Sequence, residues 1–494
     1  MYYLGLDIGS SSVKVAVVDA STGKNIASLH EPENEMEIQS LKNNWAEQNP
    51  NDWWSYCCIA IRRVIIEANV DSVKILGIGI SYQMHGLVIV DKYGNPVRNS
   101  IIWCDSRAVE IGNKAYVDLG EKKCISSLLN SPGNFTASKL KWVKENEPEI
   151  YDRVYKYMLP GDYIAYKLTG DIKTTKNGLS EGIIWDYKNE NKADWLLDYF
   201  GISKKMTPDI ISNFTNQGKI NSKASKETGL PIGIPITYRA GDQPNNALSL
   251  NVFNHGEVAV TGGTSGVIYA VTKKLNSKES SRINHFAHVN YTTEDPKIGK
   301  LLCINGAGIQ YRWLRNNGIE NSYENMNKKA SKIPVGSEGV TVLPFGNGVE
   351  RMLNNFNTGT QFNNINLNTH NFSHLYRAAL EGIAFSFVYG MEILKNDNAE
   401  INVIRAGNDN LFRSEIFSNT VSTLIGHEIE IYNTNGAIGA ARAAGLIDGD
   451  FNKFGEKITQ NDHVMSYLPI TNNDSYKIAY EKWKNDLEII LKNK

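Results

Sequence analysis

The sequence predicts an α/β protein built from two similar halves, and three observations carry that expectation. An apolar run, a turn of glycines and hydroxyls and a second apolar run open the chain in "LGLDIGSSSVKVAVVDAST", Leu4 to Thr22. The same arrangement returns in "GEVAVTGGTSGVIYAV", Gly256 to Val271. Finally, 494 residues exceed the size at which a single core stops growing, so two domains are expected.

The elements follow in order. Tyr2–Asp7, Val13–Asp19 and Asn25–Glu31 read as strands punctuated by Gly5, Gly9 and Gly23. In "NPNDWWSYCCIAIRRVIIEAN", Pro50 stands near a helix start, and Trp54, Cys57, Ile61, Val64 and Ala68 recur at helical spacing. "VKILGIGIS" reads as a buried strand. Three strands, a helix and a strand make a mixed sheet covered by helices. The second half repeats the order. Val258–Val260 and Val267–Val271 form a hairpin around "TGGTSG", "KLLCINGAG" is a strand, and "IQYRWLRNNG" opens a helix. "HLYRAALEGIAFSFVYGMEILK" is a long helix, "INVIRAGNDN" a strand and loop, and "LFRSEIFSNTVSTLIG" a single further helix. "NGAIGAARAAG" is a Gly- and Ala-rich segment able to pack closely, and the Asn-rich "LNNFNTGTQFNNINLNTHN" reads as a long surface loop. The join falls near Asp242, dividing the chain into 1–244 and 245–494.

Charge and composition exclude several classes. Lys plus Arg is 52 and Asp plus Glu is 53, for a formal net charge of -1, which argues against a broad nucleic-acid surface. No apolar run approaches the ~20 residues of a membrane span. The opening "MYYLGLDIGS" has no basic region and meets a carboxylate early, so no secretory signal is expected there. The cysteines are Cys57, Cys58, Cys104, Cys124 and Cys303. An odd, irregularly spaced set reads as the reduced thiols of a cytoplasmic protein.

The two turns carry the first chemical signal. A turn of Gly, Ser and Thr presents backbone N–H groups and hydroxyl donors to phosphate oxygens. In "GSSS", Ser10, Ser11 and Ser12 can donate and Lys14 adds a positive charge. In "GGTSG", Gly263, Thr264 and Ser265 do the same. Either one alone reads as an ordinary hairpin turn. Matched across a duplicated fold, they can clamp a polyphosphate from both sides. Only the first carries an acid, Asp7. The Mg²⁺ that accompanies a nucleoside triphosphate prefers carboxylate and water oxygens, and one carboxylate beside the phosphates suffices to hold it. No "GxxxxGK[ST]" run occurs, so this is not a P-loop protein.

Four further stretches stand out. "SYQMHGLVIVD" sets Gln83, Met84 and His85 at the C-terminal end of a strand, where polar residues often line a site. "IIWCDSR" gathers Trp103, Asp105 and Arg107. That set suits a polyol, the ring covering C–H groups and the polar groups taking hydroxyls, or it is a buried Trp beside a surface ion pair. "AGDQPNNALS" places Asp242 between the halves, as a helix cap or as a general base. "RAGNDN", Arg405 to Asn410, seats the nucleoside end of a nucleotide or caps a helix.

Taken together, these residues resemble the FGGY carbohydrate kinases of the actin-like ATPase superfamily. The match runs almost end to end through "YLGLDIGSSSVKVAVVD", "WAEQNPNDWW", "GISYQMHGLVIVD", "IIWCDSR", "FTASKLKWVKENEPEIY", "LPGDYIAYKLTGD", "GGTSGV" and "ALEGIAFSFVYGMEIL", in the family's order. "QMHG" resembles the members that phosphorylate D-xylulose rather than those that phosphorylate glycerol. The resemblance implies two ribonuclease-H-like domains with ATP and Mg²⁺ in the cleft between them. It implies Asp7 at the metal, with Ser10, Ser11, Ser12, Lys14, Gly263, Thr264 and Ser265 around the phosphates. Gly308, Gly407, Asn408 and Asn410 would lie around ribose and adenine. Gln83, Met84, His85, Trp103, Asp105 and Gln243 would face the sugar, and Asp242 would be the base. A homodimer is a family-based expectation. Three departures are visible: Gln243 stands where a sugar-binding Asn is usual, Ala406 opens a loop that is commonly a Gly triplet, and "ERMLNN" lacks the usual Pro.

Overall fold

Apolar residues on both faces bury Tyr2–Ile8 (β1) and Val13–Asp19 (β2) from two sides. In the computed structural model, which describes residues 1–447, 449–471 and 474–493 and the backbone alone of Asn410, these strands pair antiparallel, Tyr2 opposite Asp19 and Ile8 opposite Val13. Asn25–Glu31 (β3) continues the meander. Helix Pro50–Glu67 (α1) starts where expected, with Pro50 at its first turn and the Asn49 side chain accepting from Asn51 N at 3.1 Å. It lays Trp53, Cys57, Ile61 and Val64 under the meander. Ile75–Tyr82 (β4) then runs parallel to β1. A long excursion follows that includes helices Thr136–Asn146 (α2) and Lys176–Glu181 (α3). The chain returns as Ile236–Gly241 (β5), parallel to β4, and passes directly into Asp242–Ser249 (α4).

The second half repeats this path. Glu257–Gly262 (β6) and Gly266–Thr272 (β7) form the expected hairpin, and Asn284–Ala287 (β8) and Ile298–Ile304 (β9) extend it. Helices Gly308–Asn317 (α5) and Phe372–Asn396 (α6) lead to Val403–Gly407 (β10). After Glu415–Ile425 (α7) come Ile429–Tyr432 (β11), Gly436–Ala443 (α8) and His463–Tyr467 (β12). The first sheet is ordered β5-β4-β1-β2-β3 and the second β8-β9-β7-β6-β10-β11-β12. Within the second, β9-β7-β6-β10-β11 repeats the first strand for strand: an antiparallel meander with two parallel strands added. Among the described residues no helix is long and apolar enough to cross a membrane, and all five cysteines are free.

The halves are joined by packing as much as by chain. Helix α8 belongs to the second half in sequence but lies on the sheet of the first. A Cβ at Gly5 would collide with the Ala437 carbonyl, and one at Gly79 with that of Ala440, so only glycine admits so close a helix. Gly79→Ala is therefore expected to destabilise the fold by about 1–3 kcal/mol, because backbone sits where the methyl must go. An unchanged melting midpoint would show the contact to be loose. On the other side, one apolar cluster unites Met84, Phe135 and Ile183 with Tyr269, Phe286 and Leu301 of the second sheet. Side chains of the excursion also satisfy the free edge of β8. Asn130 donates to His285 O at 2.6 Å and accepts from His285 N at 2.9 Å, and Ser180 Oγ accepts from Ala287 N at 2.8 Å.

Two expectations are amended. "LFRSEIFSNTVSTLIG" is not one helix: Ser414 is extended, its hydroxyl caps α7, and Asn410–Arg413 forms a separate 3₁₀ turn. The Asn-rich stretch is largely irregular, but Gln361–Asn363 pairs with Thr341–Leu343, where half-buried Phe362 anchors an otherwise polar strand.

Candidate active site

Register places the first acid. Asp7 lies on β1 opposite Lys14 of β2 and Ser81 of β4. Its carboxylate is buried, accepts from Ser81 Oγ at 2.8 Å and faces Lys14 Nζ at 3.6 Å. The turn that follows is closed by Gly9 N donating to Ser12 O at 3.0 Å and braced by Gln48 Nε2 donating to Ser10 O at 2.7 Å. Ser11 is exposed, while Ser10 and Ser12 are half-buried. The second turn is braced from α5, since Gly308 N donates to Gly263 O at 3.1 Å and Ile309 N to Thr264 O at 2.9 Å. A Cβ at Gly308 would strike the Gly263 carbonyl, so this contact requires glycine. Thr264 and Ser265 project into solvent.

Beside the second turn is a cavity of about 580 Å³, walled by Gly262, Gly263, Thr264 and Gly308 and by side chains unremarked in the sequence. Tyr311 stacks on Tyr323 at 5.7 Å between centroids, and its hydroxyl donates to Asn327 at 2.8 Å. Arg312 and Arg413 supply positive charge. Gly407 and Asn408 lie just behind: Asn408 N donates to Tyr432 O at 2.8 Å, and its carbonyl accepts from Arg413 Nε at 3.1 Å. The side chain of Asn410 lies outside the described residues. The two tyrosines are twelve positions apart on different helices, so no local pattern announced them.

Asp242 is the first residue of α4, at the end of the edge strand β5, which runs parallel to β4. Burial, and next the Asp7 carboxylate, push it up to about 7, against a smaller opposing pull from Gln243 N–H and Lys14. It and Gln243 are half-buried. Beneath this turn is an acid that sequence reasoning missed. Glu181, at the end of α3, is buried, and burial holds its carboxyl well above the usual carboxylate range, against a smaller opposing pull from the Tyr82 hydroxyl. Its side chain and Met84 fill the space beside Gly241.

His85 has a left-handed backbone, φ 62°. Its Nδ1 lies 2.9 Å from Glu181 O. A carbonyl can only accept, so Nδ1 carries the proton and Nε2 is left as an acceptor. Burial, then the Lys139 ammonium, lowers this imidazole to about 3, so it is neutral. Phe135 meets the ring edge-on at 4.8 Å, and Phe286 from the second half covers it at 5.1 Å. Trp103 is 54% exposed, with Nε1 donating to Ser10 Oγ at 3.4 Å, so it stands against the first turn.

Two expected sugar ligands are turned inward. Asp105 has no exposed surface. Its carboxylate accepts from Ala46 N at 2.6 Å and from Arg107, whose guanidinium lies 3.7 Å over Trp45. Neither reading of "IIWCDSR" stands whole: Asp105 and Arg107 pair, but buried rather than at the surface, and Trp103 faces outward rather than being buried. Gln83 is 2% exposed, its Nε2 donating to Gln48 Oε1 at 3.3 Å, so it braces the first turn through Gln48. Met84 is buried against Gly241.

The arrangement combines two donor-rich turns, an acid with an adjacent ammonium, a second acid of raised pKa, and a neutral imidazole beside an exposed indole. The model of the FGGY family of carbohydrate kinases, N-terminal domain, matches residues 2–249, and that of the C-terminal domain matches 258–446. A xylulose kinase of Staphylococcus xylosus is 28% identical, over 98% of this chain and 99% of its own. Among solved structures, a xylulose kinase from Brucella ovis superposes with a TM-score of 0.89 at 23% identity, covering both chains fully. A Plasmodium falciparum glycerol kinase with ADP does so at 0.88 and 22%, over 99% and 98%. At such identities these structures speak for the fold.

Proposed function

The chain belongs to the FGGY family of carbohydrate kinases, and from that premise we propose that it transfers the terminal phosphoryl group of ATP to D-xylulose, giving D-xylulose 5-phosphate. It is a phosphotransferase with an alcohol group as acceptor; the sugar and the residue roles are our reading. The observation that carries the sugar is the near full-length likeness to xylulose kinases, together with a His85 imidazole whose Nδ1 is fixed by Glu181 O, which leaves Nε2 as an acceptor.

In this reading the cavity beside Gly308 takes the nucleoside, and the Ser10–Ser12 and Gly263–Ser265 turns hold the phosphates with Lys14. Mg²⁺ fits the site as a partner of the nucleotide. Among the described residues no group of three or more His, Cys, Asp or Glu side chains is able to hold a metal alone. Mg²⁺ is commonly held by one or two carboxylates with phosphate oxygens, which is what Asp7 offers. When bound, the ion neutralises charge on the phosphate oxygens. His85 Nε2 accepts from a sugar hydroxyl, Trp103 covers the C–H face, and Gln243 adds an amide from the α4 turn. Asp242 takes the proton of the attacking hydroxyl.

A coupled assay of ADP release against a panel of ketoses, polyols and aldonates tests the sugar. D-xylulose is expected to have the highest kcat/KM, with glycerol at least about tenfold lower, because a site built to bond several hydroxyls is left with unpaired groups by a smaller acceptor. A higher value for glycerol, ribulose or gluconate overturns the assignment.

A further inference from the structure

Lys139 has no exposed surface, and its ammonium is not paired with a carboxylate. Its Nζ donates to two main-chain carbonyls, that of His85 at 3.1 Å and that of Ile102 at 2.9 Å. The nearest acid by charge, Asp105, is already engaged by Arg107. Burying an ammonium with only carbonyl partners is costly, and α2 has ample apolar anchorage without it in Ala137, Leu140 and Val143. A lysine placed here therefore calls for a reason beyond packing.

The two carbonyls supply one. They belong to the two turns that carry His85 and Trp103. A positive φ at a residue with a side chain is disfavoured, and in the His85 turn the carbonyl is met by Lys139 while the ring Nδ1 is met by Glu181 O. The Ile102 carbonyl lies immediately before Trp103 and also accepts from Asp105 N at 3.2 Å. One ammonium thus ties together two turns that are distant in sequence. Burial lowers Lys139 to about 8, which leaves it mostly protonated at neutral pH.

We propose that Lys139 is a positioning residue for the acceptor sugar: it fixes the His85 turn against the Trp103 turn, so that sugar affinity depends on it and nucleotide affinity does not. The inference rests on the reading of His85 and Trp103 as sugar-facing. The cavity beside Gly308 is built from other elements, β6, α5 and the segment before α7, none of which Lys139 touches, and the Trp103 turn meets the first phosphate turn through the long 3.4 Å contact to Ser10 Oγ.

The test compares Lys139→Met, Lys139→Gln and His85→Ala in the full chain, with D-xylulose or the acceptor that ranks first in the panel. Lys139→Met is expected to raise the sugar KM about tenfold to a hundredfold, the range for losing charge-assisted hydrogen bonds. The ATP KM, and the dissociation constant of ADP measured without sugar, should stay within about twofold. Lys139→Gln, which keeps N–H donors on a shorter arm, should fall between wild type and Met, and decides the question if the Met variant does not fold. Sugar and nucleotide constants that move together, or a sugar KM that does not move, overturn the proposal. His85→Ala separates the two failures. If it leaves the sugar KM unchanged, the sugar-site reading fails; if it raises KM while neither Lys139 variant does, only the inference about Lys139 fails.

Discussion

Asp7→Asn lowers phosphoryl transfer by about 10²–10³-fold while the protein stays folded, and Asp7→Ala does the same at some further cost in stability. The expectation follows from where the carboxylate stands. One oxygen is taken by Ser81 Oγ at 2.8 Å, and the other faces Lys14 at the mouth of the Gly9–Ser12 turn. Gly436, at the start of α8, packs directly on it and leaves no room for a larger group. Asn matches the shape and can keep the Ser81 contact, but it carries no charge with which to hold a divalent ion. The defect should therefore appear as a loss of kcat with a weakened dependence on Mg²⁺ or Mn²⁺ concentration, and circular dichroism should be unchanged for Asn. Full activity of the wild-type protein in excess chelator, or of Asp7→Asn at ordinary Mg²⁺, rejects the role.

The elements that hold Asp7 were legible in the sequence because they depend on local rules. Apolar runs broken by Gly and Ser gave the two hairpins, Pro50 marked the start of α1, and repetition of strand order pointed to duplication. The α/β architecture followed from these signals. What was illegible depends on which groups face one another across the fold. Asp105 and Arg107 lie two residues apart, and their spacing suits a sugar site and a surface ion pair equally well; the ring of Trp45, from a distant segment, makes it a buried ion pair instead. Lys139 sits in "FTASKLKWVKENEPEIY", where nothing local marks it out, and the two turns that meet its ammonium come from elsewhere in the chain. Glu181 carries no signal at all, since its effect comes from lying under Gly241. In the nucleotide cavity the glycines were visible, because tight backbone contact demands them, whereas Tyr311 and Tyr323 met only through the packing of two helices.

Asp242→Asn lowers kcat by roughly 10²–10⁴-fold, the usual worth of a positioned base, while the KM values for sugar and ATP stay within a few-fold. Phosphoryl transfer leaves the protein mainly positioning and charge to provide, but the attacking hydroxyl must lose its proton as the bond to phosphorus forms. Other groups near the acceptor are poorly suited to take it. Asp105 is fully engaged by Arg107 and Ala46 N, Glu181 is buried beneath Gly241 with its carboxyl held well above the usual range, and His85 is held in a tautomer that serves a hydroxyl as acceptor but resists becoming charged. Asp242 combines a half-open position at the start of α4 with a carboxyl pushed up to about 7, chiefly by burial and then by Asp7. A base works in its ionised form, so kcat/KM should decline as pH falls through that pKa. The half-open position, and neutralisation of Asp7 by a bound cation, both pull the value down, so the acid limb should lie below 7. Asn is nearly isosteric with Asp and can still accept from Gln243 N–H at the start of α4, but it cannot take the proton. In the variant the residual activity should lose this acid limb, which a merely structural substitution would leave in place. Turnover within a few-fold of wild type in a folded Asp242→Asn protein, or an acid limb that survives the substitution, would return Asp242 to the role of a cap.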